Sequence, residues 1–482
     1  MKLLEGRLIN VSNRLPVEIK HRSGHLRQSA SAGGLASALD NIWRHQHGLW
    51  IGWAGPVDAE AATPLLQKAA RGRPYSLRAV PLSSQEPSRC NFDPEYWEVY
   101  QRVNRKFAQT TAENVTGKDF IWAHDYHLML MGHYLRETGC TTPTGFFLHI
   151  PFPGPDIFEK LPWRKNILRC LLGYDLLGFQ TDRDRFNFLS CVERILPGAS
   201  SERQHVQHIV TCDNHKTKIA TFPISIAFEE FANHAASHDV EAAAHQLRRE
   251  LSNNFMLLGV DRMDYTKGIP ERLKAFRILL RRYPEIRHRI TFVLVVVPSR
   301  EDIKEYKALR REVELLVSQI NGEFTDAGWV PIHYIHRNLT RKQLLSYYRA
   351  ADIGLITSLK DGMNLVAKEF CAAQVDEQGV VIVSEFAGAA AELRHGALVV
   401  NPNDLAGVAE AIHRACVMPV EEKRARMKLL RDVVRTYNVQ GWAESFLEAA
   451  LSTDKVAPSA STPEGTDFPL VASSTGQDQR IA

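Results

Sequence analysis

The sequence predicts an α/β protein made of two parallel-sheet blocks, and three observations carry that prediction. Short β-branched runs alternate with longer helical patterns nearly throughout, which is the signature of βαβ units with helices on both faces of the sheet. The length of 482 residues exceeds what one hydrophobic core normally supports, so two domains are the natural division. Hydrophobic residues at 44% and charged residues at 24% are ordinary for a globular chain and supply apolar surface for two such cores.

In the first block, strands are expected at 8–12, 50–53, 120–123, 144–150 and 176–178, where apolar and aromatic residues cluster between polar segments. After a polar stretch the second block repeats the pattern at 255–260, 290–297, 333–335, 353–356, 380–384 and 398–400. Helical periodicity fills the intervals, for instance at 34–45, 126–137, 183–195, 270–282, 302–320 and 341–350. The blocks divide at 1–228 and 229–435, with an Ala/His/Glu-rich helix at 229–252 joining them. A terminal helical stretch runs over 419–452, and its last part, 436–452, is expected to pack back on the first block. From Ser452 the chain becomes Ser/Thr/Pro/Gly-rich and aperiodic, so 453–482 is expected to be a disordered tail.

Charge and cysteine usage narrow the function classes. The net charge of +4 is spread along the chain, too mild to argue for nucleic acid or a membrane surface. The seven cysteines are scattered without zinc or redox spacing, as expected of reduced thiols in a cytoplasmic protein. The polar VSNR is reached by residue 14, so no signal-peptide core is expected. No apolar run approaches membrane-spanning length.

The stretch around which the chemistry gathers is DGMNLVAKE, 361–369. It follows the apolar run 353–356 and opens a helix from Met363, with Asn364 placed as N-cap and Gly362 allowing close backbone approach to a ligand. Free N–H groups at such a helix start face a phosphate or sugar hydroxyl. Lys368 adds a cation, while Asp361 and Glu369 offer acceptors for hydroxyls.

Other strand ends carry the same kind of residue. Asn13 and Arg14 follow the first strand, His124 and Asp125 follow 120–123, and His149 closes 144–150. Arg262 and Lys267 follow 255–260 within DRMDYTKG, and Arg300 follows 290–297. In open α/β sheets, ligands bind beyond the carboxyl ends of the strands. Arg262 and Lys267 together suit a pyrophosphate, one by its fork and one as a point charge. Arg14 and Arg300, from different blocks, are placed to converge on a second phosphate. Ser31-Ala-Gly-Gly34 opens a helix, and Gly33 and Gly34 permit backbone approach to a phosphate. The spacing is neither a dinucleotide fingerprint nor a P-loop. With no HExxH, no paired-cysteine metal site and no serine elbow, these features point to transfer from a nucleotide sugar to a phosphorylated acceptor, with no metal ligands.

At these residues the sequence resembles the retaining α,α-trehalose-6-phosphate synthases, a GT-B glycosyltransferase family. The matching motifs are VSNRLP (11–16), SAGGLASAL (31–39), LWIGWAG (49–55), WAHDYHLML (122–130), GFFLHIPFPGPDIF (145–158), YDLLGFQT (174–181), DRMDYTKG (261–268), VPSR (297–300), DGMNLVAKE (361–369), SEFAGAAAEL (384–393) and NPND (401–404). The resemblance implies two Rossmann-like domains facing across a cleft, the first binding glucose 6-phosphate and the second UDP-glucose, which is a substrate, so that no cofactor is expected. It implies that Arg262 and Lys267 hold the pyrophosphate and that Glu369 takes the ribose. The backbone of Leu365, Val366, Ala367 and Lys368 would face the diphosphate, and the nucleobase would lie near Leu339. Asp361 and His149 would bind hydroxyls of the transferred glucose, with Gly33 and Gly34 against the donor. Arg14 and Arg300 would grip the acceptor phosphate and Asp125 an acceptor hydroxyl. Catalysis would rest on Arg262, Lys267, His149, Asp125 and Asp361 through front-face attack, with the leaving phosphate taking the acceptor's proton. A homo-oligomer is compatible with the family.

The resemblance departs at 83–99, SSQEPSRCNFDPEYWEV, where family members carry a longer loop bringing a Tyr and a Trp to the acceptor. Tyr96 or Trp97 are the available substitutes, although Trp97 aligns better with a structural tryptophan. This departure keeps two alternatives open: a sister synthase with another phosphorylated acceptor, such as a glycerol or cyclitol phosphate, and a non-catalytic sensor of sugar nucleotides.

Overall fold

The computed structural model describes residues 4, 6–22, 25–30, 39, 42, 47–55, 57–82, 94–204, 207–251, 255–299, 301 and 303–452. In chain order the strands are β1 (Leu8–Arg14), β2 (Val17–Arg22), β3 (His25–Ala30), β4 (Gly48–Trp53), β5 (Tyr75–Ala79), β6 (Phe120–His124), β7 (Thr144–Phe147), β8 (Leu176–Phe179), β9 (Ser200–Gln204), β10 (Gln207–Cys212) and β11 (His215–Thr221). The second half adds β12 (Phe255–Arg262), β13 (Ile290–Val297), β14 (Ile332–Ile335), β15 (Ile353–Ile356), β16 (Val380–Ser384) and β17 (Leu398–Val400).

These strands build two large sheets. The first has the order β5-β4-β1-β6-β7-β8-β11-β10-β9, parallel as far as β11 and antiparallel beyond it. The second, β14-β13-β12-β15-β16-β17, is parallel throughout. Both contain the doubly wound order in which the chain first builds outward in one direction and then returns to the other side of its first strand. Each therefore has a switch point, β1/β6 in the first lobe and β12/β15 in the second, where diverging connections leave a crevice beyond the strand ends. The two parallel-sheet lobes are the architecture that the sequence predicts.

Strand sequences explain their burial. All of β15 and β16 are buried, as is β13 except for Val297, which is why these strands are apolar without alternation. β9, by contrast, is exposed at every position, and β9, β10 and the hairpin of β2 and β3 have no continuous apolar run that would reveal them in the sequence. Strand β5 and the antiparallel extension were not expected. The predicted helix at 126–137 is a 3₁₀ turn, Tyr126–Leu128, followed by the helix Met131–Glu137. The joining helix divides into Phe228–Ala235 and His238–Glu250. Most of the helix expected at 34–45, and the tail at 453–482, lie outside the described residues.

The last two helices among the described residues have different allegiances. Val420–Thr436 packs under the second sheet, where Arg431 Nη1 donates to the carbonyls of Cys371 and Ala372 at 3.0 and 2.7 Å. Val439–Leu451 crosses to the first lobe, where Trp442 Nε1 donates to Phe222 O at 3.2 Å. Phe446 stacks on Trp122 with ring centroids 4.4 Å apart. A Cβ on Gly145 or on Gly178 would lie 2.7 Å from the Phe446 ring, so the floor of β7 and β8 is cut away to receive it. No helix among the described residues is long and apolar enough to cross a membrane.

Candidate active site

On the second lobe the site begins at the end of β12. Arg262 is exposed there and makes no hydrogen bond or ion pair among the described residues. The next turn is fixed from below. Asp264 Oδ1 accepts from the Thr266 N–H at 3.0 Å and caps the 3₁₀ turn Tyr265–Lys267. Gly268 then takes φ +63°, and a Cβ there would lie 2.7 Å from Thr357 O, a conformation and clearance suited to glycine. Arg272 is fully buried beneath the turn. Its Nη1 pairs with Asp261 Oδ2 at 2.7 Å, its Nε donates to Thr357 Oγ1 at 3.0 Å, and its Nη2 donates to Lys267 O at 3.3 Å. This side chain, which the sequence does not distinguish from a surface arginine, ties β12, β15 and the Lys267 backbone together.

Lys267 Nζ lies 2.6 Å from Asp361 Oδ2. Burial works to lower Lys267, but Asp361 and Asp261 outweigh it and hold the ammonium above its ordinary range. The same Asp361 carboxylate accepts from Ser358 Oγ at 3.3 Å and from Asn364 Nδ2 at 3.0 Å. Asn364, expected as a side-chain cap, therefore does not cap: it sits at φ 69° with its amide turned to Asp361 and Ser358. The helix begins at Leu365 and runs to Ala373 without a capping side chain, so its first-turn N–H groups remain available to an anion. Leu365 and Val366 are half-buried there, and Ala367 is fully buried.

Two expectations for this stretch need correction. Lys368 does not offer a cation to a ligand. Its side chain is 1% exposed, pairs with Glu392 Oε2 at 2.6 Å and donates to Ile224 O at 2.9 Å. It lies on the helix face turned to the core, and only its backbone remains near the helix start. Gly362 serves a backbone approach between protein segments rather than to a ligand: a Cβ there would fall 1.8 Å from His149 O, and one on Gly388 would fall 1.9 Å from Gly362 O. The three segments stack main chain on main chain and bring the β15 loop against the end of the first lobe.

Further along the helix, Glu369 Oε2 accepts from Tyr348 Oη at 2.9 Å, and burial raises the carboxyl's pKa. Leu339 is half-buried against the core, one residue before the Thr340 capping box of the helix Arg341–Ala350.

The first lobe contributes from its own switch point. Arg14 closes β1 with its side chain 55% exposed, 3.6 Å from Glu18 and with its guanidinium 5.5 Å from the Trp53 ring centroid. Asp125 follows β6 at φ 73° and ψ 165°, a backbone region essentially confined to glycine. Its Oδ1 is buried without a partner among the described residues. Burial raises the carboxyl to about 6, against the pull of the Tyr126 and His149 N–H groups and of Arg262 across the cleft. The close approach of Gly362 to His149 O sets the strand ends of the two lobes facing each other. His149 lies beside Asp125, its pKa pushed down by burial to about 3. Its Nε2 is 3.1 Å from Nδ1 of His124, a fully buried neighbour whose contact with His149 the sequence did not reveal.

The structure thus brings Lys267, Asp361 and the Leu365 helix start together at one switch point, and Asp125 and His149 at the other. Gly33, Gly34 and Arg300 lie outside the described residues. Trp97 is engaged elsewhere, its ring stacked on Trp163 at 4.9 Å and 3°.

Comparison with known proteins gives this geometry a family. The sequence model of Glycosyltransferase family 20 matches residues 75–451. The chain belongs to that family. A trehalose-6-phosphate synthase of Mycolicibacterium smegmatis is 39% identical, covering 95% of each chain. A Burkholderia xenovorans α,α-trehalose-phosphate synthase (UDP-forming), solved in complex with glucose-6-phosphate, is 32% identical and superposes with a TM-score of 0.83 over 93% of this chain and 100% of the other. An E. coli structure bound with UDP-2-fluoro glucose is 35% identical, with a TM-score of 0.83 over 92% and 99%. Both lobes of this family 20 glycosyltransferase, and hence both switch points, fall within these superpositions.

Proposed function

We propose that this chain is a retaining, UDP-glucose-dependent trehalose-6-phosphate synthase that moves glucose from UDP-glucose to glucose 6-phosphate, releasing UDP. The observation that carries the reading is the opposition of the two switch points. A half-buried lysine and an uncapped helix start stand opposite a strained aspartate and a neutral histidine, and the β15 loop meets the first lobe where a Cβ on Gly362 would fall 1.8 Å from His149 O. Arg262, Lys267 and the N–H groups at Leu365 and Val366 would stabilise the departing diphosphate. The bond from the anomeric carbon to the diphosphate oxygen breaks and a bond to the acceptor hydroxyl oxygen forms on the same face. The hydroxyl proton passes to the leaving phosphate. Asp361 is already engaged by Lys267, Ser358 and Asn364, which supports a positioning rather than a nucleophilic role. We place the enzyme in the cytoplasm, a reading supported by six free cysteines among the described residues.

A second reading, transfer to a different phosphorylated acceptor, is favoured by the short 83–99 segment, because Trp97 is occupied by Trp163. One experiment separates the readings: UDP release from UDP-glucose with glucose 6-phosphate, glycerol phosphates and cyclitol phosphates in turn. Release with glucose 6-phosphate is expected. Release only with another acceptor selects the sister synthase, and binding of UDP-glucose without release selects a sensor.

A further inference from the structure

His124 ends β6, fully buried, with its ring centroid 4.9 Å from that of Trp122 and 5.3 Å from that of His149. Its Nδ1 is 3.1 Å from His149 Nε2. Its other nitrogen, Nε2, is buried and has no partner among the described residues. On His149 the remaining nitrogen, Nδ1, makes no hydrogen bond among the described residues.

Burial lowers the pKa of both rings, and that of His124 further because of His149, so each carries one N–H at neutral pH. Only two arrangements place a single proton between them. If His149 donates from Nε2, the proton of His124 must sit on Nε2, stranding an N–H in a buried site without an acceptor. If His124 donates from Nδ1, its Nε2 is a bare ring nitrogen. Among buried backbone groups, orphaned N–H donors are rarer than under-satisfied acceptors, and on the same ground the second arrangement is favoured here. His149 then receives at Nε2 and keeps its own proton on Nδ1.

We propose that His124 is a positioning residue that locks His149 in the Nδ1–H tautomer, so that His149 presents a hydrogen-bond donor, not an acceptor, to a hydroxyl oxygen of the transferred sugar. The sugar contact rests on the synthase reading, whereas the tautomer does not.

Imidazole ¹⁵N NMR of the ligand-free full chain tests the tautomer directly, because protonated and bare ring nitrogens resonate far apart. The His149 resonances are assigned by their loss in His149→Asn. A protonated Nδ1 and bare Nε2 on His149 are expected, and the reverse overturns the proposal. Kinetics test the consequence. Asparagine places an amide where His Nδ1 lay, glutamine places it where Nε2 lay, and leucine removes it. We expect His124→Asn to keep kcat/KM for UDP-glucose within about 3-fold, and His124→Gln and His124→Leu to lose about 10-fold or more, with melting curves that still report a folded chain. Equal activity of all three overturns the positioning role. If His149 shows the expected tautomer while the parent releases no UDP with any acceptor, the synthase reading fails and the tautomer assignment stands.

Discussion

Asp125 concentrates two costs in one residue. Its φ of 73° and ψ of 165° place an L side chain in a region normally left to glycine, a strain of about 1–3 kcal/mol. Its carboxyl, raised by burial to about 6 from the usual 3.8, favours the protonated form in the folded state. That advantage is complete below 3.8 and is lost as pH rises through about 6, so above pH 6 the ionised group opposes folding. Asp125→Asn should therefore match the parent's stability near pH 3.8 and exceed it above pH 7, by up to about 3 kcal/mol. Asp125→Gly should be more stable still, while both lose transferase activity. Thermal melts across pH decide this, and a gain independent of pH would remove the titration from the account. The sequence indicates where Asp125 sits because it follows an apolar run, but nothing in it shows the backbone strain. Lys368 illustrates the converse. Its residue type suits a phosphate, yet the phase of a nine-residue helix decides whether the ammonium meets a ligand or Glu392, and that phase depends on which neighbours cover the helix.

At the scale of elements, the Lys368–Glu392 pair joins the helix Leu365–Ala373 to the short helix Ala389–Leu393 and, through Ile224 O, to the chain leaving β11. Burial raises Glu392, and Lys368 pulls it down. Removing one partner leaves a buried charge uncompensated. Lys368→Met should cost about 3–5 kcal/mol, and Lys368→Met with Glu392→Leu should recover most of it. Chemical denaturation measures both, and equal loss in the single and double variants would show that the ion pair is not the cause. Elements of this kind were legible where burial on both faces makes a strand continuously apolar, as in β13, β15 and β16. They were illegible where a strand is exposed, as β9 is along its whole length. The carboxyl ends of the strands, and with them the region of the site, followed from the legible strands, whereas the sheet orders that make β1/β6 and β12/β15 switch points came only with the structure. The tie made by Arg272 between β12 and β15 did not, since a buried arginine and a surface one are the same letter.

At the scale of the whole molecule, the two terminal helices strap one lobe to the other. Val420–Thr436 is held by the second lobe and Val439–Leu451 by the first, so the Phe446 seat anchors one end of a covalent link between the lobes. That seat is built from both sides: a fully buried aromatic ring on the helix, and Gly145 and Gly178 on the strands beneath it. Phe446→Ala should cost about 3–5 kcal/mol through lost contacts and the cavity left behind. Gly178→Ala should cost about 1–3 kcal/mol by overpacking the same space, since its new methyl would stand 2.7 Å from the ring. The new methyl would also stand 2.7 Å from the Phe147 ring, so emptying the seat relieves only part of the clash, and Gly178→Ala should cost less, but still something, in the Phe446→Ala background than alone. Denaturation of the two single variants and the double variant closes that cycle. Simple additivity would mean that Gly178 and Phe446 do not share a space and that the strap is held elsewhere along the helix. If the strap also sets the cleft, Phe446→Ala should raise KM for both substrates together, because it touches neither and loosens the lobe that carries Asp125 and His149 relative to the lobe that carries Arg262 and Lys267.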